Sequence, residues 1–111
     1  MPYAIKSRIW IEGEQGVLLG EGRVRLLKAI ASTGSLSKAA TTLEMSYKKA
    51  WKLVDSMNKA AKEPLVITST GGKGGGGAQL TPYGQKSITI FENINHKCWE
   101  FLDGELKNLD L

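Results

Sequence analysis

The chain of 111 residues contains one cysteine, Cys98, so no internal disulfide can form and a reducing compartment is expected. It also contains one histidine, His96. The two stand two residues apart and on a helix would face different directions, so they make neither a metal site nor a nucleophile–base pair. No carboxylate pair accompanies a pocket signal either, and neither an enzyme nor a cofactor is expected. No apolar run reaches bilayer length. The opening residues, Met1 to Lys6, lack a long apolar stretch followed by a small-residue cleavage site. A cytoplasmic location is therefore the expectation. No internal repeat and no linker divides the chain, and its length suits one domain over residues 1–111 with a modest core.

What the chain does have is lopsided positive charge. The formal net charge is +4, a modest excess in itself. Its placement is more informative, because ten basic residues from Arg23 to Lys73 lie in one central segment while the acids gather toward both ends. Such asymmetry is the footprint expected of a phosphate-facing surface.

Hydrophobic patterning divides the chain into short elements. Residues 4–12 carry β-branched and aromatic side chains and read as a strand, with Gly13 to Gly16 as a turn and Val17–Leu19 as the return. From Arg23 to Thr33, Val24, Leu27 and Ile30 recur at helical spacing. Gly34 suits a left-handed cap, and Ser35 suits the N-cap of a second helix from Leu36 to about Leu43. A third helix is expected from Ser46 to about Lys62, with Ala50, Leu53 or Val54, Met57 and Ala61 as its apolar stripe. Pro64 stops it. Leu65–Thr68 and Ala78–Leu80 then read as strands around a glycine-rich tip, and Thr81 or Pro82 opens a last helix from roughly Tyr83 to Leu109.

The segment from Leu36 to Lys52 has the pattern of a helix-turn-helix. Two short helices packed at a steep angle need small residues where they touch, which Ala39 and Ala40 supply. Leu43 and Met45 straddle the turn, and Glu44 occupies the position usually held by glycine. A helix, this motif and a glycine-tipped hairpin follow one another in the order of a winged helix. The fold class expected is α+β: a winged helix-turn-helix with an N-terminal β-hairpin and a long C-terminal helix. In it the third helix enters the major groove and the wing lies on the backbone or in the minor groove. Gly71, Gly72, Gly74, Gly75, Gly76 and Gly77 form the wing tip around Lys73, where bare backbone can approach phosphates. A nucleotide-binding phosphate loop does not fit: no Gly-Lys-Ser/Thr opens a helix here, and the flanks are strands.

Double-stranded DNA is the expected partner. Ser46 begins the recognition helix, where free N–H groups favour phosphate. Lys48 and Lys52, four apart, project together toward guanine edges or phosphates, and Lys49 is near. Tyr47 and Trp51 are placed to meet bases or thymine methyls, although Trp51 also suits the rim of the core. Ser35, Ser37 and Lys38 are candidate phosphate anchors on the second helix, and Lys73 is the wing contact. Arg23 and Arg25 read as solvated helix charges. Apolar residues on more than one side of the last helix must bury more than one side. Ile88, Phe91, Ile94, Cys98, Trp99, Leu102 and Leu106 are accordingly expected at a homodimer interface, within a dimerisation helix at 84–109.

Three segments together resemble a known family. These are Gly34–Ala40, Ser46–Trp51 and Thr70–Ala78, joined by the later run Leu80-Thr81-Pro82-Tyr83-Gly84. They are similar to the N-terminal domain of ModE, the molybdate-responsive regulators, and more loosely to LysR-type DNA-binding domains. The resemblance implies a winged helix-turn-helix that dimerises and binds a palindromic operator. Family members that sense molybdate carry oxyanion-binding domains after this part, and the chain ends at Leu111, so molybdate is not an expected ligand. A winged-helix protein-interaction module and a nonspecific architectural DNA binder remain as alternative readings.

Overall fold

A computed structural model describes residues 2–69 and 77–111. Its element order is β1 (Trp10–Gly13), β2 (Gly16–Gly20), α1 (Glu21–Thr33), α2 (Leu36–Thr42), α3 (Tyr47–Ala60), β3 (Val66–Thr68), β4 (Ala78–Leu80) and α4 (Pro82–Lys107). This is the winged helix-turn-helix arrangement, preceded by a hairpin and followed by a long helix. The molecule measures 61 × 28 × 21 Å, because α4 extends beyond the body.

The first strand is shorter than the expected 4–12. Pairing begins only at Trp10, opposite Gly20, and a bulge between Ile11 and Glu12 breaks the register before Gly13 meets Gly16. Residues 4–9 instead run unpaired, with Ile5, Ser7 and Ile9 half-buried and Ala4, Lys6 and Arg8 exposed. Their alternation is that of a strand, since an extended chain turns successive side chains to opposite sides. On that half-buried edge, Ser7 meets α4, where its Oγ and Cys98 Sγ approach to 3.5 Å.

One core joins the elements. Leu26, Leu27 and Ile30 of α1, Ala39 and Ala40 of α2, Val54 and Met57 of α3, and Phe91 of α4 are its central members. On α3 the inward residue is Val54, while Leu53 is only half-buried. Burying such side chains contributes about 1.5–3 kcal/mol each before the cost of ordering the chain. Gly34 caps α1 at φ 69° and donates its N–H to Ile30 O at 2.8 Å. Its carbonyl accepts from Ala78 N at 3.0 Å, so the end of α1 also holds the base of the wing.

The residues between α3 and α4 are fastened from both sides. Asn58 Oδ1 accepts the N–H groups of Leu65 and Val66 at 2.8 and 3.3 Å, and its Nδ2 donates to Val66 O at 3.0 Å. Thr81 N donates to Leu65 O at 3.0 Å, and Thr81 Oγ1 donates to Pro64 O at 2.7 Å. The same Oγ1 accepts from Gly84 N at 2.9 Å and so caps α4, with Pro82 in the first turn. Gly84 is there for space: a Cβ on it would stand 2.2 Å from Leu65 O. Gly84→Ala must therefore move either α4 or the strand. We expect it to cost about 3 kcal/mol, the upper range for overpacking. Urea denaturation is the measurement; a loss below about 1 kcal/mol would mean that the junction yields easily.

Candidate nucleic-acid interface

The helix-turn-helix is built by two serine caps and one strained turn. Ser35 Oγ accepts from Lys38 N at 3.1 Å, and Ser46 Oγ accepts from Lys49 N at 3.0 Å. Each hydroxyl thus replaces one of the missing partners in the first turn of its helix. The backbone N–H groups of Tyr47 and Lys48 precede that bond and have no intrahelical partner. Between the helices, Met45 N donates to Ala40 O at 3.0 Å and Glu44 N to Thr41 O at 3.1 Å. This is the six-to-one and five-to-two pairing of a Schellman cap, whose left-handed position glycine normally fills. Here Glu44 fills it at φ 56°.

The recognition helix α3 is divided cleanly. Ala50, Val54 and Met57 are buried, whereas Tyr47 and Trp51 are 54% and 49% exposed. Trp51 is thus no part of the core. Lys48, Lys49 and Lys52 are exposed. Farther along the helix, Asp55 and Lys59 pair at 2.9 Å, so that acid is engaged by its own neighbour. Among the described residues, Lys48, Lys49 and Lys52 take part in no ion pair. Ser37 and Lys38 lie exposed in the first turn of α2, and Ser35 is half-buried. Lys73 and Gly71, Gly72, Gly74, Gly75 and Gly76 lie outside the described residues. Gly77 is described, and its N–H donates to Ser69 Oγ at 3.0 Å.

The fold adds residues that spacing did not. Arg23 reaches a shallow cleft that it lines with Ser46, Lys48, Lys49 and Lys52. A solvated helix charge is therefore too plain a reading of Arg23. Position 23 precedes the motif by a whole helix, and only tertiary packing of α1 against α3 brings it there, so no local pattern could have disclosed it.

The C-terminal helix requires a correction. Ile88 and Phe91, expected at a dimer interface, are buried in the chain's own core, because the first turns of α4 pack on α1 and β4. Lys28 of α1 pairs with Glu92 along the same contact. Cys98, Trp99, Leu102 and Leu106 are half-buried, and Cys98 meets Ser7 of the N-terminal segment. A different face is open to solvent: Ile90, Ile94 and Phe101 are 45%, 46% and 64% exposed. At 100° per residue these three fall within about 40° of one another around the helix. Of the expected interface residues, Ile94 alone belongs to that face.

Residues 22–85, from the first turn of α1 to the first turn of α4, match the family described as bacterial regulatory helix-turn-helix protein, lysR family. The chain belongs to this lysR family. It is also similar to several ModE proteins. It is 39% identical over 97 residues to the molybdenum transport protein ModE of Azotobacter vinelandii, covering 87% of this chain and 36% of that protein. It is 40% identical over 95 residues to the DNA-binding transcriptional dual regulator ModE of Escherichia coli K12, covering 83% and 36% respectively. To the transcriptional regulator ModE of Haemophilus influenzae it is 40% identical over 103 residues, covering 90% and 40%. The chain thus spans between 36% and 40% of the length of these relatives. Among the described residues, no helix is long and apolar enough to cross a membrane.

As in other left-handed positions, a Cβ at Glu44 costs about 1–2 kcal/mol relative to glycine, partly offset by glycine's greater freedom when unfolded. Glu44→Gly is therefore expected to stabilise the chain by about 0.5–1 kcal/mol. A rise in the urea midpoint at unchanged slope is the signature. A fall would mean that the Glu44 carboxylate supplies a contact worth more than the strain.

Proposed function

We propose that this lysR-family chain is a DNA-binding transcriptional regulator that reads an inverted-repeat operator as a homodimer. The observation that carries this is the outer surface of α3. Three unpaired lysines and two half-exposed aromatics share a helix whose opposite side is held in the core. Leaving large aromatics and cations in water has a use if they meet base edges and phosphates, the two kinds of contact that DNA recognition combines. The names of the relatives, which include a DNA-binding transcriptional regulator, agree. In this reading Lys48 and Lys52 hold phosphate or guanine, Tyr47 and Trp51 meet bases, and Ser35, Ser37, Lys38, Ser46 and Lys49 anchor the backbone. Lys73 and the wing glycines, with Gly77 at the wing base, reach the flanking groove.

Dimerisation is supported by the open face of α4. Past Phe91 the helix has no buried residue, yet it exposes Ile94 and Phe101. A second copy of the same helix would cover these apolar groups under two-fold symmetry. The two recognition helices would then address half-sites about 34 Å apart, one DNA turn.

Selection of the purified chain against random DNA at near-physiological salt tests the function. Enrichment of an inverted repeat with one-turn spacing is expected; retained DNA without a motif would indicate an architectural binder. No retention would indicate a protein-interaction module. Lys48→Ala with Lys52→Ala should then weaken operator binding by at least about 100-fold, each lost charged contact being worth about 1.5 kcal/mol or more, and leave the oligomeric state unchanged. Separately, Ile94→Glu with Phe101→Glu should yield a monomer in sedimentation equilibrium with unaltered helix content. A dimer that persisted would place the interface elsewhere.

A further inference from the structure

A second basic groove lies beside the recognition helix, between the β1–β2 hairpin and the first turn of α1. It encloses about 470 Å³, and its lining includes Arg8, Trp10, Arg23, Arg25 and Lys49. Four cations thus line a space bordered by a single carboxylate, Glu21. Among the described residues none of the four is in an ion pair. Clustered like charges repel and raise the energy of the free protein, a cost that an arriving anion reverses.

Two further observations point the same way. Helix α1 runs for 13 residues, and its N-cap is Gly20, with no side chain capping the first turn. A Cβ on Gly22 would meet nothing within 4 Å, so there is open space over that turn. Unpartnered N–H groups at the positive end of a helix dipole thus open onto the groove. In addition, Arg23 Nε is buried from solvent and has no hydrogen-bond partner. Buried donors are ordinarily satisfied, so an orphaned guanidinium nitrogen beside such a groove suggests a missing acceptor. Arg23, Lys49 and Leu53 also line the cleft that runs along Lys48 and Lys52, which makes the groove continuous with the face of α3.

We propose that this groove is an oxyanion seat, and that its occupant is a DNA backbone phosphate outside the bases read by α3. The hairpin and the first turn of α1 would then clamp the strand that passes beside the recognition helix, lengthening the footprint of each half-site without reading sequence. This inference rests on the DNA-binding reading above, and its test turns on two residues outside that reading, Arg8 and Arg25. Arg8 and Arg25 are exposed, so removing them leaves the core intact.

The test is affinity for the selected operator, with methylphosphonate replacing one flanking phosphate at a time. In the unaltered protein, neutralising one or two flanking phosphates should weaken binding about tenfold, the usual scale for a charged hydrogen bond. In Arg8→Ala with Arg25→Ala the same replacements should have a clearly smaller effect. That variant should also bind less tightly and show a salt slope shallower by about 1 per phosphate lost. Equal affinity and equal slope would overturn the proposal, while a loss of binding in Lys48→Ala with Lys52→Ala would show that the recognition face still stands. Loss in neither variant would overturn the DNA-binding reading itself. A third arm titrates inorganic phosphate without DNA and follows the amide signals of residues 20–25. Shifts there that vanish in the Arg8/Arg25 variant, together with silent methylphosphonates, would assign the seat to a free anion and overturn the DNA occupant.

Discussion

The N–H and carbonyl of Leu65 hold the two halves of the molecule together. The side chain is fully buried, its N–H donates to Asn58 of α3, and its carbonyl accepts from Thr81 at the start of α4. A buried peptide group left without partners would cost about 1–3 kcal/mol, so both bonds are enforced by the position of the residue. Gly84 lies so close to that carbonyl that the helix can approach only without a side chain there. From this one residue the chain continues into β3, the first wing strand, and the recognition helix, the wing and the C-terminal helix are therefore positioned relative to one another by a few bonds. Val66 and Ala78, buried at the base of the wing, extend the same contact into the core.

Much of this was legible in the sequence because it is written in local chemistry. Ser35, Ser46 and Thr81 are side-chain caps with short-range hydrogen bonds, and Gly34 takes the left-handed geometry expected of it. The α3 stripe follows from helical periodicity, although periodicity alone left Leu53 and Val54 undivided. What was misread depends on distant partners. Residues 4–9 have the alternation of a strand but no partner strand, and Ser7 among them meets Cys98 of α4. Ile88 and Phe91 fit an outer stripe equally well until α1 is seen to cover them. Trp51, for which both an outward place and the rim of the core were open, is half-exposed beside the buried stripe.

The functional surface is organised by what is left uncompensated. Two acids are engaged by cations outside this surface: Asp55 binds Lys59 within α3, and Glu92 of α4 binds Lys28 of α1. Exposed pairs of this sort add little to stability. Their greater effect is on the field, since they spend carboxylates away from Lys48, Lys49, Lys52 and Arg23. The positive potential that remains is concentrated where α3 and the start of α1 meet, and a concentrated field accelerates the encounter with a polyanion.

The length of α4 has a mechanical meaning. Its 26 residues extend for roughly 39 Å at 1.5 Å per residue, and only the first turns are clamped by Leu65 and the core. A helix held at one end is a lever. If two such helices cross at Ile94 and Phe101, as proposed, a tilt of about 5° would displace the clamped end by about 2 Å, more than half the rise of one base pair. Because the wing and α3 are fastened to the clamped end, they would be carried with it as one body. The spacing between two reading heads would thus be governed by the angle of the helix pair, at a distance from any residue that touches a base.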